Sequence, residues 1–256
     1  VDAATCLLGI SDDNPSIIAR FEEIDYLHHG LLVESVASSF GSVFCVSGTQ
    51  TFVRLSTFLE VCDRFFASQA AESESLYRYW QCVLGDDRWL TQLLLMHTNG
   101  KSVLQLDTRV LNETRSAGGF LGLLSQRRRW LLACTSADVF ANMNWQMLTQ
   151  HPTWWAYRFL SQTIRMPDVN GILLGTLTVN ASDRKLHYVG LLLLLVFAVN
   201  WSLLSWIADR KGRNTMFMYP LFHICLPIFN ILVRVYTMLT LSKRTWGGAR
   251  VGAELR

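Results

Sequence analysis

Apolar positions recur at three- and four-residue steps through Phe21, Ile24, Leu27, Leu31 and Leu32, which predicts a helix over residues 20–40. After Gly41 the pattern changes. The run Ser42 to Arg54 is rich in Val, Phe and Thr around a Ser-Gly turn, which predicts strand, loop and strand. Helical spacing returns over 55–68, where Leu59, Val61, Cys62 and Phe65 are apolar. Leu90 to His97 is expected as a helix behind an acidic pair, Lys101 to Val110 as a strand, and Leu121 to Met147 as one long helix. Helices alternating with a few short strands predict an α/β layer architecture, with too few strands for a whole sheet.

The pattern then becomes continuously apolar. Leu186 to Ala208 runs 23 residues without a formal charge, a helix of about 35 Å against a hydrocarbon core of about 30 Å. Arg184 and Lys185 precede it; Asp209, Arg210, Lys211 and Arg213 follow. A second uncharged stretch runs from Asn214 to Val233, and Arg234 is near enough to its end to snorkel. Pro220 and Pro227 are expected to kink that helix. Two spans joined by a tight turn at 209–213 are therefore expected. With both outer ends cytoplasmic the turn is extracellular, and its basic residues run against that orientation. The apolar patch Gly171 to Val179 is too short to span. Trp130, Trp145, Trp154, Trp155 and Tyr157, close to Arg127, Arg128, Arg129, Arg158 and Arg165, suit helices in the headgroup region. The alternative is that these aromatics pack into a soluble core.

Charge divides the chain. Residues 1–120 hold 15 Asp/Glu against 8 Lys/Arg, a net of −7, and residues 121–256 hold 5 against 15, a net of +10. With 17% charged residues, below the roughly 25% of ordinary soluble domains, the chain reads as an acidic cytoplasmic domain leading into membrane segments. Its positive charge is interleaved with its most hydrophobic part, which disfavours a nucleic-acid partner. Six scattered cysteines form no CxxC pair, so neither a zinc site nor a disulfide framework is indicated. Val1 reads as the cut end of a longer protein.

Three clusters carry candidate chemistry. In Gly85-Asp86-Asp87-Arg88-Trp89-Leu90-Thr91, two carboxylates stand at a loop-to-helix junction, where helix N–H groups favour negative charge. The cluster is either an ordinary acidic helix start with Arg88 as ion partner or the seat of a general base. Gln126-Arg127-Arg128-Arg129-Trp130 is either a juxtamembrane basic patch or a phosphate clamp with an aromatic floor. Cys45-Val46-Ser47-Gly48 alone is a turn between strands.

In this order, and followed by apolar spans, the three resemble the processive family 2 glycosyltransferases, most closely the chitin synthases. Those carry a CLPG-like loop, then GEDRWL or GEDRYL, then QRRRW, then membrane helices. Here the corresponding letters are CVSG, GDDRWL and QRRRW. The lead-in Phe21 to Tyr26 and Phe40 to Val43 is also similar, and Thr245-Trp246-Gly247-Gly248-Ala249-Arg250 loosely resembles an SWGTK/R-type segment. Ser47 replaces the usual Pro, Gly248 departs from Thr, and Asp86 stands where Glu is usual, a change shared with hyaluronan synthases.

The resemblance implies a partial GT-A-type domain over 1–124, the QRRRW and interfacial helices over 125–185, two transmembrane helices over 186–242 and a cytoplasmic tail over 243–256. It implies Asp87 as catalytic base with Asp86 and Arg88 in support. Gln126, Arg129 and Trp130 would line the diphosphate and acceptor site, and Cys45 and Gly48 the acceptor loop. The implied reaction transfers GlcNAc from UDP-GlcNAc to a growing β-1,4 chitin chain with inversion. Mg²⁺ or Mn²⁺ would be held by a DxD motif ahead of Val1; Val1-Asp2-Ala3-Ala4-Thr5 lacks its second carboxylate and is read as coincidence. Membrane lipid is a further partner, a homo-oligomer is left open, and the location is the plasma membrane or intracellular vesicles. Another β-glycan synthase, or a non-catalytic synthase fragment acting as a partner subunit, is the alternative, and the fragment alone is expected to be inactive.

Overall fold

A strand that no alternation marks lies at the centre of the sheet. In the computed structural model, which describes residues 1–11, 15–48, 50–70, 75–97, 101–105, 111–164, 177–178, 184–210 and 212–244, Ala3–Ile10 forms β1 with Ala3, Leu7 and Ile10 buried. Strand β2 (Thr51–Val53) pairs antiparallel with it, Ala3 opposite Val53. Strands β3 (Ser102–Gln105) and β4 (Leu111–Thr114) pair parallel with it, and the register steps from Gln105 opposite Cys6 to Leu111 opposite Leu7. A strand buried on both faces reads as an apolar run instead of an alternation, which is why the sequence pattern passes over it.

The helix expected over 20–40 is present but interrupted. Helix α1 (Ile17–His28), capped by the Ser16 hydroxyl accepting from the Ala19 N–H at 3.1 Å, passes through a π-turn at His29–Glu34 into α2 (Ser35–Ser39). Of the strand expected from Ser42, only a bridge from Ser42 to Ser102 forms. The next N–H groups are taken by side chains: Phe44 N–H donates to Glu34 Oε2 at 2.6 Å and Val46 N–H to Thr91 Oγ1 at 2.8 Å. Helix α3 (Leu55–Ala70) follows β2. A short α4 (Leu76–Arg78) enters a second π-turn at Tyr79–Leu84, which delivers α5 (Asp86–His97).

The helix expected over 121–147 breaks after α6 (Phe120–Met143), because Asn144 caps a new helix, α7 (Trp145–Gln150), accepting from the Gln146 and Met147 N–H groups. Helix α8 (Pro152–Ile164) then folds back over the core. Here the headgroup expectation is corrected for several residues. The Trp154 indole donates to the Ser42 carbonyl at 2.7 Å and Trp155 to the Ala141 carbonyl at 3.1 Å. Tyr157 stacks on Phe44 with ring centres 5.5 Å apart. Arg158, buried, pairs with Asp138 at 2.6 Å. Their polar tips find protein carbonyls and a carboxylate, so they face the core. Trp145, Phe159 and Leu160 remain on the outside. Arg165 and most of the 171–179 patch lie outside the described residues.

Two helices are long and apolar enough to cross a membrane: α9 (Arg184–Arg210) and, after a 3₁₀ turn at Thr215–Met218, α10 (Tyr219–Leu239). Pro220 stands in the first turn of α10, where its missing N–H costs nothing, so of the two prolines only Pro227 lies inside the helix. Gly212, at φ +69°, closes α9: its N–H donates to the Asp209 carbonyl and the Arg213 N–H to the Ala208 carbonyl, each at 2.9 Å. Arg213 then turns back to the soluble body, donating to the Ile10 carbonyl at 2.8 Å, lying 3.3 Å from Glu23 and pairing with Glu113. Arg213 thus ties the end of the turn at 209–213 to the body that holds the sheet. Tyr219 and Phe222 pack with Ile24 and Leu27 of α1, and Arg128 holds the far end of α10. Both ends of α10 are tied to the soluble body. Hydropathy reports length and polarity, and cannot see ion pairs closed between distant segments.

Candidate active site

The second π-turn ends at Gly85, where a Cβ would lie 2.9 Å from the Ala133 Cβ and 3.3 Å from the Gln81 carbonyl. Only glycine lets the start of α5 rest this closely on α6. Asp86 and Asp87 then occupy the first turn of α5. Each caps its successor: Asp86 Oδ1 accepts from the Asp87 N–H at 3.0 Å and Asp87 Oδ1 from the Arg88 N–H at 2.8 Å. Burial, reinforced by the neighbouring Asp87 charge, pushes the Asp86 carboxyl above the ordinary carboxylate range, against the pull of Arg129.

The loop at Cys45–Gly48 folds against this pair. A Cβ on Gly48 would lie 3.8 Å from the Asp87 Cβ, an ordinary contact. Burial, the Asp87 charge and a hydrogen bond to Asp87 hold the Cys45 thiol well above its usual range, so it stays protonated beside the carboxylate. For the Arg88 guanidinium, burial works against the charged form, but its acidic neighbours, Asp87 and Glu34 among them, outweigh it, and the pKa is raised.

The three arginines of the Gln126–Trp130 segment, consecutive on α6, point to three different partners. Arg127 pairs with Asp25 at 2.6 Å and lies over the Trp130 ring at 4.3 Å and the Tyr26 ring at 5.6 Å. Arg128 is buried and donates to the Thr240 hydroxyl at 2.7 Å, the Thr240 carbonyl at 2.5 Å and the Lys243 carbonyl at 2.8 Å. Arg129 faces the acidic pair: burial lowers its pKa, while the charges of Asp87 and Asp86 pull it back up. Tyr26, 5.7 Å from Trp130, is pushed up to about 12 by burial and is hydrogen-bonded to Gln126. The Gln126 Oε1 is buried without a partner among the described residues, an acceptor left for a ligand.

The structure therefore brings Cys45, Gly48, Asp86, Asp87, Arg88 and Arg129 together, with Gln126 and Trp130 beside them on Tyr26. Glu34 is a site residue that motif reasoning missed, hidden in a segment of helical spacing. Tyr26, in the lead-in, and Thr91, at the end of the acidic cluster, stand within the motifs without a role of their own there. Asp2 takes no part: its carboxylate accepts from the Lys101 N–H at 3.1 Å and the Thr57 hydroxyl at 3.2 Å and faces Arg54. The Lys101 N–H is the main reason that its pKa is lowered. Among the described residues no group of three His, Cys, Asp or Glu side chains is placed to hold a metal ion, and an acidic pair shared with Arg129 does not fit a divalent cation. The segment Thr245 to Arg250 lies outside the described residues.

One consequence of this burial is measurable. A carboxyl whose folded pKa lies above its unfolded value destabilises the fold at neutral pH, and the penalty is relieved as pH falls through the raised folded value. Asp86→Asn removes the charge and keeps the acceptor. Its melting temperature is expected to exceed that of the wild type at pH 7, with the gap closing as pH falls toward the ordinary carboxylate range. A lower melting temperature at pH 7 would show that Arg129 over-compensates the burial of Asp86.

An acidic pair at a helix start, faced by an arginine of a neighbouring helix, thus stands in a mixed α/β domain. A family profile described as chitin synthase matches residues 9–254, and the chain belongs to that family. Among its relatives, chitin synthase VI of Metarhizium acridum is 32% identical over 253 residues, 98% of this chain and 40% of the relative. Chitin synthase D of Aspergillus fumigatus is 31% identical over 253 residues and chitin synthase G of Aspergillus niger 30% over 251, each covering 98% of this chain and 34% of the relative. The chain thus spans a third to two-fifths of the length of these relatives.

Proposed function

We propose that this chain carries the acceptor side of a GT-A-type active site that transfers GlcNAc from UDP-GlcNAc to a growing β-1,4 chitin chain with inversion. The convergence of the Cys45–Gly48 loop, the Asp86–Asp87 pair and Arg129 carries this reading. Asp87 takes the proton from the 4-hydroxyl of the terminal sugar as that oxygen attacks the anomeric carbon from the face opposite UDP. Arg129 offsets the charge that develops on the departing diphosphate, and its partly desolvated position strengthens that effect. Trp130 and Tyr26 offer flat faces for a sugar ring, and Gln126 an acceptor. The reading includes a divalent cation, Mg²⁺ or Mn²⁺, held by residues other than those described here.

The reading also places the protein at a membrane with its soluble body cytoplasmic. Helices α9 and α10 are its two candidate spans, and Leu221, Ile224, Ile228, Ile231 and Val235 of α10 are exposed toward lipid. Trp145, Phe159 and Leu160 of α7 and α8 are the outward apolar residues suited to the headgroup region. Residence in the plasma membrane or in vesicles follows from the same reading.

The test is incorporation of labelled UDP-GlcNAc by membranes expressing the full-length protein. Insoluble product that chitinase degrades is the expected outcome. Polymer that forms only when UDP-glucuronate is added would replace chitin with hyaluronan as the product.

A further inference from the structure

Resting on that reading of the site, we infer that Glu34 and Thr91 are positioning residues that set the reach of the Cys45–Gly48 loop to Asp87. The loop contributes no ladder of its own; its first N–H groups are held by side chains from two different elements. Glu34, delivered by the π-turn at His29–Glu34 and 6% exposed, accepts from the Phe44 N–H at 2.6 Å through Oε2, while its Oε1 lies 3.2 Å from His29. Thr91, 1% exposed, accepts from the Val46 N–H at 2.8 Å and donates through the same hydroxyl to the Asp87 carbonyl at 2.8 Å. One hydroxyl thus joins the loop to the backbone of the acidic pair. The loop and the acidic pair share one bonded frame, and the Glu34 charge also acts on Arg88. With the Ser47 N–H donating to the Thr5 hydroxyl at 3.2 Å, three side-chain bonds replace an extended strand pairing and fix the loop at a distance that no sheet register imposes. π-turns recur at functional sites because they re-aim single side chains in this way.

The consequence is specific to the acceptor. In the full-length protein in membranes, Glu34→Ala and Thr91→Val are expected to raise the KM for a GlcNAc or chito-oligosaccharide acceptor about 10-fold, while the KM for UDP-GlcNAc stays within about two-fold. Thr91→Ser, which keeps the hydroxyl, is expected to restore wild-type values. A second readout is independent of turnover. Labelling of Cys45 by N-ethylmaleimide, followed on its peptide by mass spectrometry, is expected to accelerate about 10-fold in Glu34→Ala and Thr91→Val. The buried Cys6 and Cys82 stay protected in both, showing that the fold is intact. Unchanged Cys45 labelling in both variants would overturn the inference, as would labelling of Cys45, Cys6 and Cys82 that rises together. Wild-type membranes that form no polymer would defeat the functional reading, and the labelling would still decide whether the frame exists.

Discussion

Replacing Asp87 with Asn is expected to lower polymer formation by about 10²- to 10⁴-fold, the usual contribution of a positioned base, with the melting temperature little changed. The geometry separates these two effects. An asparagine keeps the oxygen that accepts from the Arg88 N–H at 2.8 Å and keeps the volume against which Gly48 packs. What it loses is the ability to take a proton from a sugar hydroxyl. The KM for UDP-GlcNAc is expected to stay within about two-fold, because in this reading the donor's charge falls to Arg129. Measured initial rates in membranes, with protein quantified by blot, check the claim. Activity within about three-fold of wild type would remove Asp87 from the mechanism and leave the acidic pair as an ordinary helix start, stabilised by the N–H groups of α5. Asp86→Asn is the internal control, since the same chemistry one residue earlier is expected to raise stability.

The elements most legible in the sequence are those whose pattern has one cause. The periodicity around Ile24, Leu27 and Leu31 places a helix, and DDRWL places carboxylates in a first turn, because each signal is local. The likeness of CVSG, GDDRWL and QRRRW to one family points to a shared site, although nothing in spacing alone brings residue 45 to residue 87. What stayed hidden needed tertiary partners. Strand β1 is apolar throughout because it is central. The loop after Ser42 is not a strand because Glu34 and Thr91 take its donors, and the break at Asn144 follows from a single capping side chain. The contacts of the apolar helices stayed hidden for the same reason: Arg213, legible only as one of three basic residues at the 209–213 turn, pairs with Glu23 and Glu113. The QRRRW letters likewise do not tell their arginines apart; only the fold sends Arg127 to Asp25, Arg128 to α10 and Arg129 to the acidic pair.

That division of labour makes Arg128 the residue whose loss is expected to reshape the protein without touching its chemistry directly. A helix leaves its last carbonyls without intrahelical partners and carries partial negative charge there. At the end of α10 this need is met by one buried guanidinium, whose fork bonds the Thr240 hydroxyl, the Thr240 carbonyl and the Lys243 carbonyl. Arg128→Met takes the guanidinium from both carbonyls, leaving Thr240 O with only the Lys243 N–H at 3.0 Å and Lys243 O without this donor, at a cost of about 1–3 kcal/mol for a carbonyl that stays buried and unpaired; swinging the helix end into solvent avoids that cost. The expected result is exchange of the backbone amides from Thr237 to Lys243 at least about 10-fold faster than in the wild type. Arg128→Lys gives little rescue, because a single ammonium cannot reproduce the planar fork. Arg129→Met, one residue along the same helix, should leave that exchange unchanged and abolish polymer formation. If Arg128→Met instead leaves exchange at 237–243 unaltered and raises only the KM for UDP-GlcNAc, then Arg128 binds the diphosphate and the end of α10 is held by packing alone. If exchange rises and activity falls with it, the position of α10 is coupled to the site through α6, since the helix that presents Arg129 to Asp86 and Asp87 is the one that Arg128 ties down.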